Sequence, residues 1–236
     1  EPFEVSMAVV DPNNGYIDAM VGGHDYNASQ VNMATGEGGS GRQAGSAFKL
    51  FTLMAALKEG IDPDTLIDAG YKVDLAGGQP VYNVNKQDYG TRTIKSAFGV
   101  SSNTAFIRLL LSVGVDKVIE TAKSMGITSD LPSVAGLTLG IASVTPLQMA
   151  EAYATVANGG VHYEAECIVK IEDRNGNVIV DNSDPQGERV FTKEQARAAI
   201  DCLEVVIDDG TGKAARPSNG QEAGGKTGTT DDRKDA

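Results

Sequence analysis

The apolar residues of this chain change their spacing once, early on, and the change restricts the folds open to it. Glu4 to Val10 and Tyr16 to Val21 are apolar-rich runs joined by Asp11-Pro12-Asn13-Asn14-Gly15, a cluster of turn formers, which predicts an antiparallel hairpin. Gly22 to Arg42 is rich in Gly, Ser and Asn and reads as a long surface loop. The period then becomes helical. Phe48, Phe51, Leu53, Met54 and Leu57 place apolar side chains on a broad helical face, and Gly60 with Pro63 stops it.

Further helices are predicted at Asn103 to Ser112, Val115 to Met125, Thr145 to Asn158 and Thr192 to Ile207. A strand pair is predicted around Cys167 to Ile171 and Val178 to Val180. Thr145-Pro146-Leu147-Gln148 and Thr192-Lys193-Glu194-Gln195 both have the form of a capping box, and Pro146 suits the first helical position. Gly210 to Gly220 reads as a loop and Gly224 to Thr230 as a β segment. With 236 residues and 41% hydrophobic positions, these elements fit one mixed α/β (α+β) domain. An antiparallel sheet starts from residues 4 to 22, helices flank it, and a mostly helical subdomain occupies about residues 60–160.

Composition excludes several function classes. The formal net charge is −12 without a block of Lys or Arg, which argues against a nucleic-acid backbone or an anionic membrane surface as partner. No run approaches the roughly 18 apolar residues of a membrane span. Cys167 and Cys202, in a predicted strand and a predicted helix, read as two packed thiols or one disulfide, and nothing has metal-ligand spacing. His24 and His162 read as surface residues, because no PCxxC follows His162-Tyr163-Glu164 to make it a zinc-deaminase site. Neither a metal nor a cofactor is expected.

Three short motifs carry the chemistry: Ser46-Ala47-Phe48-Lys49 (SxxK), Ser101-Ser102-Asn103 (SxN) and Lys226-Thr227-Gly228 (KTG). Each alone is common, and a serine at a helix start is usually only a cap. Their order and separate contexts give them weight, with SxxK and SxN at two helix starts and KTG in a late β segment. A helix beginning near Gly45 sets Ser46 where free N–H groups and the helix dipole favour developing negative charge. Lys49 follows on the same face. A hydroxyl attacks an acyl carbon efficiently only beside a base, and lysine is one once burial or a nearby cation, here Lys226, destabilises its ammonium.

The chain resembles the transpeptidase domain of penicillin-binding proteins. Beyond the motifs, the likeness runs through Met7-Ala8-Val9-Val10-Asp11, Arg42-Gln43-Ala44-Gly45, the block Thr145 to Gly160, and Gly225 to Thr230. Arg42-Gln43 before Gly45-Ser46 is similar to the class A, bifunctional type, in which a membrane-anchored glycosyltransferase domain precedes the transpeptidase. The resemblance implies a β-lactamase/transpeptidase-like fold. It also implies a serine D,D-transpeptidase that cross-links peptidoglycan stem peptides through an acyl-enzyme on Ser46 and is acylated by β-lactam antibiotics. In that scheme Lys49 is the base, Ser101 the proton relay and Asn103 a contact to substrate amide. Lys226, Thr227 and Thr229, with Gly228 between them, bind the terminal carboxylate, and the N–H groups of Ser46 and Thr229 form the oxyanion hole. The implied place of work is the extracytoplasmic face of the cell membrane, with a membrane contact only through an N-terminal anchor absent from this sequence.

Family domains continue past KTG into further strands and a C-terminal helix, whereas this chain stops at Asp231 to Ala236, so the resemblance implies a C-terminally truncated fragment whose own activity is in question. Three other readings stay open. A β-lactamase-like hydrolase of the same fold adds a glutamate in an ExxLN pattern, and this chain has no Leu-Asn dipeptide. A β-lactam sensor or binding module would keep nucleophile and base without turnover. Gly220 to Thr227 spells the P-loop pattern GxxxxGK[ST], but a P-loop needs a hydrophobic strand before it and a helix after it.

Overall fold

The computed structural model describes residues 4–36 and 41–230. The expected terminus at Asp231 to Ala236 and part of the Gly22 to Arg42 loop lie outside the described residues. The chain forms two compact units built from separated segments. The first holds the described residues up to Arg42 together with Ala122–Ser129 and Val144–Lys193; the second holds Gln43–Thr121, Asp130–Ser143 and the described residues from Glu194 onward. Residues 60–160 are divided between the two, so the expected helical subdomain coincides with neither.

In the first unit, Met7–Val10 and Ile17–Val21 form the predicted antiparallel hairpin, with Met7 opposite Val21 and a register shift between Val9 and Val10. Asp11 makes the turn by accepting from Asn13 N–H at 2.9 Å and from both asparagine side-chain amides, so a local Asx turn replaces the missing ladder bonds. The Lys170–Glu172 and Val178–Asp181 strands pair as a second hairpin, and Glu188–Arg189 pairs with Val161–His162. The predicted strand start at Cys167 moves to Lys170. Cys167 sits exposed in the bend before it and Cys202 is buried, both as free thiols, so only one of the two is packed.

Among the described residues six α-helices follow in chain order: α1 Lys49–Lys58, α2 Ile94–Gly99, α3 Asn103–Val113, α4 Val115–Ser124, α5 Pro146–Ala157 and α6 Lys193–Asp208. Helix α2 escaped the sequence reading because six residues are too few to show a period. The capping box at α5 forms as predicted: Gln148 N–H donates to Thr145 Oγ1 at 3.2 Å, and Thr145 N–H donates to Gln148 Oε1 at 3.4 Å.

In the second unit α1 is buried from Lys49 to Leu57 on every side, not along one face. A helix apolar all round belongs at the centre of a core. It packs on α3 and on the 3₁₀ turn Ala135–Leu139, while Phe48–Phe51 and Phe98–Phe106 stack with ring centroids 4.5 and 5.5 Å apart. Around this core lie two short antiparallel ribbons, Leu66–Asp68 with Thr91–Thr93 and Lys72–Val73 with Val81–Tyr82. Strands thus pair antiparallel, as expected, but as separate two-stranded ribbons among the described residues. Gly224 to Thr230 is not a strand. Among the described residues no ladder forms along it; it is held instead by Gly225 N–H donating to Leu203 O at 3.2 Å and by close backbone packing against Ala44 and Gly45.

Candidate active site

All eight candidate residues, seven in the three motifs and Thr229 just after the last, fall in the second unit. Ser46 occupies the second position of a 3₁₀ turn, Gly45–Phe48, that runs directly into α1, so Ser46 and Lys49 share one face across a tightened first turn. Ser102, not Ser101, caps α3, its hydroxyl accepting from Ala105 N–H at 3.2 Å. Ser101 just before it has φ +57°, a backbone state that costs a non-glycine residue about 1–3 kcal/mol and is held by the structure around it. This kink turns the Ser101 carbonyl and hydroxyl together toward Lys49.

The three motifs meet through their polar atoms. Lys49 Nζ lies 2.9 Å from Ser46 Oγ, 2.7 Å from Ser101 O, 3.2 Å from Ser101 Oγ and 2.7 Å from Asn103 Oδ1. Lys226 Nζ reaches the same serine from the other side, donating to Ser101 Oγ at 2.9 Å and to Thr227 O at 2.8 Å. A continuous chain therefore runs from Ser46 Oγ through Lys49 Nζ and Ser101 Oγ to Lys226 Nζ. The Asn103 amide is oriented by its own N–H₂, which donates to Tyr82 O at 3.1 Å and so turns Oδ1 to Lys49.

Both ammonium groups are destabilised. Burial pushes Lys49 well below its ordinary 10.5, and repulsion from Lys226 adds to the effect. Burial alone brings Lys226 down to about 7. Each amine also sits over an aromatic ring, Lys49 at 6.0 Å from the Phe106 centroid and Lys226 at 5.7 Å from that of Phe98, which returns part of the lost solvation as cation–π attraction. A neutral Lys49 has two N–H bonds and one lone pair. Ser101 O and Asn103 Oδ1 can only accept, so they take both N–H bonds and leave the lone pair for the Ser46 hydroxyl.

Glycines bring the KTG segment against the nucleophile. A Cβ on Gly45, where φ is +55°, would lie 2.7 Å from Thr229 O; one on Gly140 would lie 2.1 Å from Gly45 O; one on Gly228 would lie 2.6 Å from Ala44 O. Backbone therefore touches backbone at all three places. The Thr229 hydroxyl turns back to its neighbour, donating to Gly228 O at 2.8 Å, and that of Thr227 meets Thr211 Oγ1 at 2.6 Å.

Sequence reasoning missed Asn83 and Gly140, and no period or motif marks either. Buried Asn83 accepts at Oδ1 from Ser102 Oγ, Asn103 N–H and Thr104 N–H, and its amide donates to the carbonyls of Ala69, Gly70 and Gln87. It thereby fixes the start of α3. The P-loop reading lacks its frame: a 3₁₀ turn, Lys213–Ala215, precedes Gly220 where a hydrophobic strand is required. Outside the site, His162 is not a surface residue as expected but half-buried, 3.3 Å from Glu151 Oε1.

Known proteins are similar to this chain over nearly its whole length. Penicillin-binding protein 1A of Aquifex aeolicus is 38% identical over 238 residues, covering 99% of this chain and 32% of that protein, and the protein of the same name from Neisseria meningitidis is 32% identical over 247 residues, covering 98% and 30%. The chain thus spans about a third of the length of these relatives. Among solved structures, PonA1 from Mycobacterium tuberculosis in complex with penicillin V superposes with a TM-score of 0.86 at 29% identity, over 98% of this chain and 62% of that one. Penicillin-binding protein 1A from Haemophilus influenzae does so at 0.84 and 26%, over 97% and 40%. The family model of the penicillin binding protein transpeptidase domain matches residues 5–235, and the chain belongs to that family.

Proposed function

We propose that this domain is a serine acyltransferase that cross-links peptidoglycan stem peptides by D,D-transpeptidation and is trapped by β-lactams. The observation that carries the reading is the 2.9 Å contact of Ser46 Oγ with a buried Lys49 whose two N–H bonds are both committed to acceptors. Lys49 takes the Ser46 proton as Oγ attacks the carbonyl of the penultimate D-alanine. The developing oxyanion is held by the N–H groups of Ser46 and Thr229. Ser101, bonded to both lysines, gives its proton to the leaving amine of the terminal D-alanine and is reprotonated by Lys49; when the amine of a second strand attacks the acyl-enzyme, the proton that amine loses passes back through Ser101 and Lys49 to Ser46 Oγ as the ester bond breaks.

Lys226, Thr227 and Thr229 bind the terminal carboxylate and Asn103 the substrate amide. A penicillin presents an acyl carbon and a carboxylate in the same relation and lacks a leaving group that can diffuse away, so its adduct on Ser46 persists. PonA1, a relative with penicillin V in its structure, supports this. Stem peptides lie outside the cytoplasmic membrane, so the domain works there.

The test is to mix the protein with fluorescent penicillin and map the adduct by peptide mass spectrometry. Label on Ser46 that persists for hours and is lost in Ser46→Ala is the expected result. An adduct turned over in seconds identifies a hydrolase instead, and label elsewhere, or none, refutes the assignment.

A further inference from the structure

We infer that Thr211, a residue outside the three motifs, is a positioning residue for the substrate carboxylate, aligning the Thr227 hydroxyl so that its proton points at the anion. The inference rests on the reading above, in which Thr227 binds that carboxylate. Its basis is the 2.6 Å contact between Thr211 Oγ1 and Thr227 Oγ1. A threonine hydroxyl has one proton and two acceptor sites. When Thr211 donates to Thr227, the Thr227 proton is freed and can be directed outward. Two hydroxyls in series, ending on an anion, polarise one another, so the terminal bond is stronger than that of a lone threonine.

The opposite polarity, Thr227 donating to Thr211, would aim a lone pair at the carboxylate. A bound carboxylate disfavours it, because the anion repels that lone pair and attracts a hydroxyl proton, so carboxylate binding selects the polarity in which Thr211 donates.

Thr211 is exposed, yet its backbone is fixed. Its N–H donates to Gly99 O at 3.2 Å, and Gly212 N–H donates to Val206 O at 2.9 Å. A Cβ on Gly210 would lie 2.2 Å from Gly99 O, and one on Gly212 2.8 Å from Ile207 Cδ1, so neither neighbour has room for a side chain. Gly99 is the last residue of α2, two positions before Ser101. Thr211 is thus tied by its backbone to the segment that carries the SxN motif and by its hydroxyl to the KTG motif.

The experiment measures acylation by benzylpenicillin and by benzylpenicillin methyl ester, whose carboxylate is masked, using intact-protein mass spectrometry over a concentration series. Saturation separates the dissociation constant of the first complex from the acylation rate constant. For Thr211→Val, benzylpenicillin should bind about five- to tenfold more weakly, the loss of one net hydrogen bond. Its acylation rate constant should stay within about twofold, the ester should bind as it does to the wild type, and Thr211→Ser should restore binding of the acid.

Equal binding of the acid by Thr211→Val and wild type overturns the inference. So does a parallel loss for acid and ester, which would mark a merely structural role. A wild-type protein that benzylpenicillin does not acylate would instead overturn the proposed function and this inference with it, a result distinguishable from the others.

Discussion

Lys49 has four oxygen neighbours and three bonding positions in either protonation state, but only its neutral form, with its two N–H bonds on Ser101 O and Asn103 Oδ1, keeps a lone pair to take the Ser46 proton. Lys226 has the opposite requirement, because only its ammonium attracts a carboxylate. Acylation should therefore rise with pH as Lys49 loses its proton, well below the ordinary range for lysine, and fall again above about 7 as Lys226 becomes neutral. The rate of penicillin acylation between pH 5 and 10 checks this. In Lys226→Arg, whose guanidinium stays charged, the alkaline limb should disappear; an alkaline limb unchanged in that variant sinks the assignment. Of this arrangement the motif spelling disclosed the participants. It did not disclose the Ser101 kink at φ +57°, since no residue type signals a strained backbone held in place by its surroundings.

At the scale of elements, helix starts decide where the chemistry sits. Ser102 caps α3, and Asn83, from the turn after the Val81–Tyr82 strand, binds the next two N–H groups. Asn83→Ala would take the side-chain acceptor from those buried N–H groups and the amide donor from the Ala69, Gly70 and Gln87 carbonyls. It should cost about 2–4 kcal/mol, read as a lower melting temperature, and slow acylation as Asn103 drifts; a loss under about 0.5 kcal/mol would show the cap alone suffices.

In the first unit, α5 presents Glu151 to His162 and to Ala165 N–H at 3.2 Å, and a Cβ on Gly126 would meet Glu151 Oε1 at 2.1 Å. Burial, first, and the charge of Glu164 raise Glu151 to about 7, while burial lowers His162 against the pull of Glu164 and Glu188. The folded chain thus holds a Glu151 proton that the unfolded chain releases near 4.5, so this group's contribution to stability is lost as pH rises from about 4.5 to 7. His162 acts with the opposite sign below 6.5. Glu151→Gln should gain on the wild type in melting temperature between pH 5 and 8; a constant difference would show that Glu151 does not titrate in that window. The α5 capping box was legible because its pattern is local. The Glu151–His162 pair was not, because its partners are brought together by a turn and a ribbon rather than by one helix face.

For the whole molecule, the formal charge of −12 repels an anionic penicillin at long range, while the buried Lys226 attracts it only at contact. Raising ionic strength shortens the Debye length from about 30 Å at 0.01 M to about 8 Å at 0.15 M and screens the distant repulsion more than the buried contact. Acylation by benzylpenicillin should speed up by roughly twofold over that range. A slowing would show that local cationic steering dominates instead. By itself the sequence determined the hairpin, five of the six helices among the described residues, the α5 cap and which eight residues are candidates for the site, because each is written in spacing or in a motif over a few consecutive positions. The tertiary structure decided that Gly224 to Thr230 is a packed segment without a ladder and that α1 is buried all round. It also decided that Asn83, Gly140 and Thr211 lie against the motif residues. Each of these depends on which distant backbone lies alongside, and a distance between residues 45 and 229 has no signature in the order of the residues between them.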